Sequence, residues 1–179
     1  MRVTTRMAAA LMALAIAGTA FAHGPTRRKV SESIEINAPP AKVWAAIGNF
    51  QDMSWLPLVS TTEGQKGNEI EATRRLTLTT GATVDEELYK YDAEKMSYSY
   101  RITAVDVKVL PVTNYSSNIT VSAASDGKTS VVEWNGAFYR GFPNNDPPPE
   151  LDDEAAVKAV SGLYRLGLEA LKKKIESAS

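Results

Sequence analysis

Two charges in the middle of the chain are placed where strand periodicity expects apolar groups. Arg74 stands between Ala72 and Leu76, so a strand through this stretch turns its guanidinium toward the apolar face. Glu86 has the same parity in the next alternating run, Val84-Glu86-Leu88, and Thr80-Gly81 supplies the turn between the two runs. Pairing through that turn sets Arg74 and Glu86 opposite or diagonal to each other. A buried guanidinium needs a carboxylate partner, because an unpaired buried charge costs several kcal/mol. Such a pair is either a structural ion pair at the edge of a cavity or an anchor for an acidic ligand.

Tyr98, Tyr100, Tyr115, Trp134, Phe138 and Tyr164 fall on the same interior side. Aromatic bodies with polar tips suit a pocket for a mostly apolar ligand, and they equally suit a plain core. General acid–base chemistry needs a titratable group with a shifted pKa inside a pocket, and Glu86 and the tyrosines are the inward candidates. No nucleophile–base pair is visible, so no catalytic residue is assigned and the chain is expected to bind or mediate, not to catalyse.

Composition excludes several chemistries. The 179 residues include no Cys and one His. Disulfides, Cys-based zinc sites, thiol catalysis, iron–sulfur clusters and two-His metal sites are therefore out, and no metal or cofactor is expected. The 20 Lys and Arg nearly balance 21 Asp and Glu, which argues against nucleic-acid binding driven by bulk charge. The run Asn144, Asn145, Asp146 and Glu150 lies in a Pro-rich loop before the last helix. It offers oxygen ligands but lacks EF-hand spacing, so it reads as a solvated loop or as a partner surface or lid.

The elements that must position these residues follow from periodicity. Residues 1–22 hold Arg2 and Arg6, an apolar run over 7–17 and the triplet Ala20-Phe21-Ala22, the pattern of a cleaved secretory signal peptide. The apolar run is too short to span about 30 Å of hydrocarbon. Export to the periplasm is the expectation, with a mature chain of 157 residues, a flexible tail over 23–28, one domain over 29–179 and no membrane span. Val30, Glu32, Ile34 and Ile36 predict a first strand. Short helices are predicted over 41–47 and 50–55, with Trp44 and Trp55 stapling them to the sheet rim. Alternating runs around 70–78, 84–88, 96–102, 115–121 and 132–138 predict an antiparallel meander. Asp152 to Glu176 predicts one long helix with an acidic start, a basic end and the stripe Val157, Val160, Tyr164, Leu168, Leu171 and Ile175. Gly162 and Gly167 interrupt it, either to let it approach the sheet closely or to leave room inside.

This order resembles the helix-grip superfamily that includes START domains, the birch-pollen allergen fold and polyketide cyclase/dehydrase-like proteins. The resemblance rests on Ala38-Pro-Pro-Ala-Lys-Val-Trp44, Trp55-Leu-Pro57, Arg74-Arg-Leu-Thr-Leu-Thr-Thr-Gly81, Glu86-Glu-Leu88 with Asp92, Tyr98-Ser-Tyr100 and Val132-Glu-Trp134. It implies an α+β fold: a curved antiparallel sheet wrapped around the long C-terminal helix, with two short helices after the first strand. Where the family often has an acid, this chain has Asn49. Within the superfamily, the exported, Cys-free chain is most similar to MxaD-type proteins. That likeness implies a periplasmic accessory protein aiding a quinoprotein methanol dehydrogenase and its cytochrome c. The alternatives are a carrier or sensor of a small hydrophobic or acidic ligand, and a cyclase or dehydratase.

Overall fold

Residues 130–140 alternate almost perfectly between buried and half-buried side chains, as a strand with one face on the core must. The computed structural model describes residues 24–178. The segment 1–22, expected from its sequence to be a signal peptide, and His23 lie outside the described residues.

The described chain runs β1 (Arg28–Ile36), α1 (Pro40–Ile47), β2 (Val59–Gln65), β3 (Thr73–Leu78), β4 (Thr83–Asp92), β5 (Ser97–Val105), β6 (Val112–Ala123), β7 (Ser130–Arg140), a 3-10 turn (Pro149–Leu151) and α2 (Asp153–Ser177). The strands form one antiparallel sheet in the order β1-β7-β6-β5-β4-β3-β2. The meander β2 to β7 is consecutive, and the first strand closes onto the last. Bulges in the β4–β5 pairing, between Asp85 and Glu86 and between Leu88 and Lys90, bend the sheet where the Arg74–Glu86 pair stands. The N-terminal piece is already in the sheet at Arg28, opposite Phe138, and Arg27 donates to Ser116 Oγ at 3.0 Å.

Pro40 opens α1, where its missing N–H costs nothing, and Val43 and Ile47 bury its inner face. The second short helix expected over 50–55 is instead a series of turns. Asn49 Oδ1 captures the amide of Gln51 at 3.0 Å, and Asp52 Oδ1 captures that of Ser54 at 2.8 Å. Side chains that bond the backbone two residues on compete with helix formation, and here they win. The edge strand β2 escapes sequence reading because Val59–Gln65 is largely exposed and has no apolar alternation.

The long helix is capped by Asp152, whose side chain accepts from the Ala155 amide at 2.8 Å. It packs mainly against β1 and β7. Arg165 reaches Glu32 at 3.0 Å, Lys172 donates to the Glu35 carbonyl at 2.7 Å, and the Asn37 amide donates to Glu176 at 2.8 Å. The helix is thus clasped along one flank of the sheet and stands off the other, over β3, β4 and β5. No helix among the described residues is long and apolar enough to cross a membrane.

Candidate functional site

The register of β3 and β4 makes Arg74 and Glu86 direct cross-strand partners. Arg74 Nε meets Glu86 Oε2 at 2.6 Å, with no exposed surface on the arginine side chain. Arg74 Nη1 donates to the Phe50 carbonyl at 2.6 Å, so the turns after α1 present a backbone acceptor that a regular helix would have used internally. The guanidinium lies against the rings of Phe50 at 4.1 Å and Tyr100 at 5.0 Å. Burial pushes the Glu86 carboxyl up, against the opposing pull of Arg74. Burial disfavours the charge on Arg74, but Glu86 and the neighbouring phenols more than compensate and hold its pKa up. Arg74 Nη2 and the Tyr98 hydroxyl are buried without a hydrogen-bond partner among the described residues.

A second polar cluster runs from the sheet to α2. Tyr115 and Tyr164 share a short hydroxyl–hydroxyl bond, Tyr164 and Ser117 lie 3.0 Å apart, and Ser117 Oγ donates to the Asn135 carbonyl at 2.8 Å. Trp134 Nε1 donates to Ser117 Oγ at 2.9 Å and to the Tyr100 hydroxyl at 3.2 Å. Counting protons orders the chain. Ser117 spends its only proton on a carbonyl, so Tyr164 must donate to Ser117, and Tyr115 must donate to Tyr164. Tyr115 is left with lone pairs only. Tyr100 accepts from the indole, and its own proton stays outside the network. Burial raises Tyr100 and Tyr115 well above the ordinary phenol range and Tyr164 above it, so all three are neutral phenols.

Where α2 stands off the sheet there is an open-mouthed cavity of about 230 Å³. Its wall is apolar, built from such residues as Leu56, Leu76, Val84, Ile102, Leu110 and Leu163, with Glu86, Tyr100, Tyr115 and Trp134 as the polar-bearing members. The glycine pair in α2 divides the two roles open in sequence. A Cβ on Gly167 would meet Trp134 Cζ3 at 2.8 Å and Leu56 Cδ1 at 3.0 Å, so Gly167 permits close approach. A Cβ on Gly162 would meet nothing within 4 Å, and Gly162 is exposed where it lines the cavity, so it leaves the mouth open.

The eight interior candidates therefore separate. Glu86, Tyr100, Tyr115 and Trp134 border the cavity. Arg74, Tyr98, Phe138 and Tyr164 stand behind its wall. Phe138 stacks on Tyr115 at 6.1 Å, and Tyr164 stacks on Trp134 at 4.3 Å between centroids. Trp55 packs on Trp134 at 5.4 Å and Trp44 on Tyr91 at 5.9 Å, tying the segments after β1 to the sheet. Asn144, Asn145, Asp146 and Glu150 are exposed and none lines the cavity. Their loop is held down by Arg140, which donates to the carbonyls of Phe142 and Asn144, each at 2.8 Å. The β5–β6 connection instead supplies the wall, through Val109 and Leu110.

Sequence reasoning passed over Ser117, the hub of the polar cluster. Its signal was available: a serine at the inward parity of Tyr115, Ile119 and Val121. It also passed over Leu58 and Leu166, 37% and 39% exposed at the cavity, because an isolated surface leucine carries no signal until the fold gathers it with others.

Residues 27–176 match the family model for polyketide cyclase / dehydrase and lipid transport. Comparison with curated proteins gives no match. Among solved structures, an uncharacterised protein from Bacillus thuringiensis is 31% identical over 83% of this chain and 99% of its own, with a TM-score of 0.71. The protein XoxI from Bacillus cereus is 31% identical over 84% of this chain and 96% of its own, also at 0.71. Norcoclaurine synthase from Thalictrum flavum, solved with dopamine and hydroxybenzaldehyde, shares the fold at 14% identity and a TM-score of 0.62, over 87% of this chain and 90% of its own. A helix gripped by a seven-stranded antiparallel sheet, with a cavity between them, thus joins a sequence match over most of the chain: the protein belongs to the polyketide cyclase / dehydrase and lipid transport family.

Proposed function

We propose that this protein is an exported binding protein that holds one small, mostly apolar molecule between its sheet and α2. The observation that carries this reading is the cavity of about 230 Å³, apolar in its walls and bordered by a few convergent polar groups. Export is supported by the charged, apolar and small-residue pattern of residues 1–22. Binding is favoured over cyclase or dehydratase chemistry because Glu86 is held on Arg74 and the phenols beside it resist ionisation. Gly162 is exposed at the cavity mouth, so Gly162→Leu adds a side chain over the opening on a helix that has room for it. Native mass spectrometry of the wild-type protein purified from its own periplasm should find a bound small molecule that this variant lacks. An identical, ligand-free mass for both would remove the reading.

A second reading is that the protein acts as a periplasmic accessory factor, promoting contact or electron transfer between a methanol dehydrogenase and its cytochrome c. It rests on the resemblance to MxaD-type proteins read from the sequence and on Leu58 and Leu166, exposed where α2 stands off the sheet. Adding the protein to purified dehydrogenase and cytochrome should raise the electron-transfer rate, and Leu58→Asp with Leu166→Asp should abolish the gain. An unchanged rate would rule this role out.

A further inference from the structure

The polar groups around the cavity are unequal in what they offer a ligand. Glu86 is the charged residue on the wall, and its carboxylate accepts hydrogen bonds. Tyr115 has committed its proton to Tyr164 and can only accept. Tyr100 still has a proton to give. The cation nearest the site, Arg74, does not reach the wall: it is occupied by Glu86 and the Phe50 carbonyl and flanked by Phe50 and Tyr100. The site is thus rich in acceptors and its one formal charge is already balanced.

We infer that the cavity selects a neutral ligand carrying a hydroxyl on an apolar body, a phenol-type molecule of one substituted ring, and discriminates against carboxylates and amines. This rests on the binding reading above and names the class of ligand. A carboxylate would meet Glu86 and the Tyr115 lone pairs, with the Tyr100 proton as its single donor. An ammonium would bring a net charge into a site where Arg74 already neutralises Glu86, and a buried unbalanced charge is costly. A hydroxyl can donate to Glu86 or Tyr115 and accept from Tyr100. Size agrees: an apolar cavity of about 150 Å³ holds benzene, so about 230 Å³ takes a ring with a short substituent. The acidic-ligand alternative open in sequence rested on Arg74 facing the ligand, which it does not do.

The test is calorimetric titration at pH 7 with four probes of one shape: 4-ethylphenol, ethylbenzene, 4-ethylbenzoate and 4-ethylbenzylamine. The expected order has 4-ethylphenol about tenfold tighter than ethylbenzene, as one good buried hydrogen bond gives. Both charged probes should be weaker than ethylbenzene. Tyr115→Phe leaves Tyr164 its bond to Ser117 and should reduce the preference for the phenol, and Tyr100→Phe, which removes the one donor, should reduce it further, both while leaving ethylbenzene unchanged. Gly162→Leu should abolish binding of all four. Equal binding of phenol and ethylbenzene, or tightest binding of the benzoate or amine, overturns the inference and leaves the cavity reading standing. Failure of all four to bind wild-type protein overturns both.

Discussion

Arg74 exchanges water for one carboxylate, one carbonyl and two aromatic faces. A buried ion pair is often no more stabilising than an apolar pair of the same volume, whereas breaking it strands a charge. Arg74→Ala should therefore cost about 3–5 kcal/mol. Arg74→Met combined with Glu86→Leu should cost less, about 1–3 kcal/mol, because the Phe50 carbonyl then loses its donor but no charge is stranded. Urea unfolding of Arg74→Met, Glu86→Leu and the double variant measures the coupling. Glu32 gives a pH-dependent counterpart. The hydrogen bond from Arg165, helped by Ser161 and opposed by burial, holds its carboxyl below the ordinary value near 4.5. A depressed carboxyl stabilises the fold above that value and loses its contribution as pH falls through the lowered pKa. Glu32→Gln should accordingly lower the melting temperature at pH 7 and have a smaller effect at pH 3. An equal loss at both pH values would mean that Glu32 acts through packing and not through charge.

At the scale of elements, α2 carries two glycines with opposite environments. Gly167→Ala forces a methyl toward Trp134 and Leu56 and should destabilise despite the better helix propensity of alanine. Gly162→Ala meets open space and should stabilise by about 1 kcal/mol, the difference between the two residues in a helix. Denaturant midpoints of the two variants should move in opposite directions. The helix itself was legible in sequence to within a residue at each end, because its apolar stripe, acidic start and basic end all agree. The turns over 50–55 were not, since Asn49 and Asp52 decide that stretch by bonding nearby amides and leave no periodic trace. β2 was missed for the reason that edge strands are hard to see: apart from Val59 at its start, its side chains are polar or Gly and largely exposed.

At the scale of the whole molecule, the cavity exists because the helix is clasped to β1 and β7 and bridges the far side of the curved sheet. A ligand that binds only the folded state raises stability by about 2.7 kcal/mol at a hundred times its dissociation constant. Saturating 4-ethylphenol should raise the melting temperature of the wild-type protein and leave that of Gly162→Leu unmoved. Leu76→Trp, which fills the same space from the sheet side, should behave like Gly162→Leu. A shift that survives both substitutions would place the ligand elsewhere.

The sequence by itself determined which residues face inward, because strand parity and helical spacing are local properties. Arg74, Glu86 and the six interior aromatics were all legible from it, as was the antiparallel meander that carries most of them. Only the tertiary structure decided which of them border a cavity. That depends on how far a helix stands from a bent sheet, a distance set by packing of Gly167 against Trp134, by the clasp along β1 and by bulges in the β4–β5 pairing. It also decided that Arg74 turns to Phe50 and Glu86 instead of to the cavity, because the carbonyl that holds it comes from a turn whose course no periodicity records.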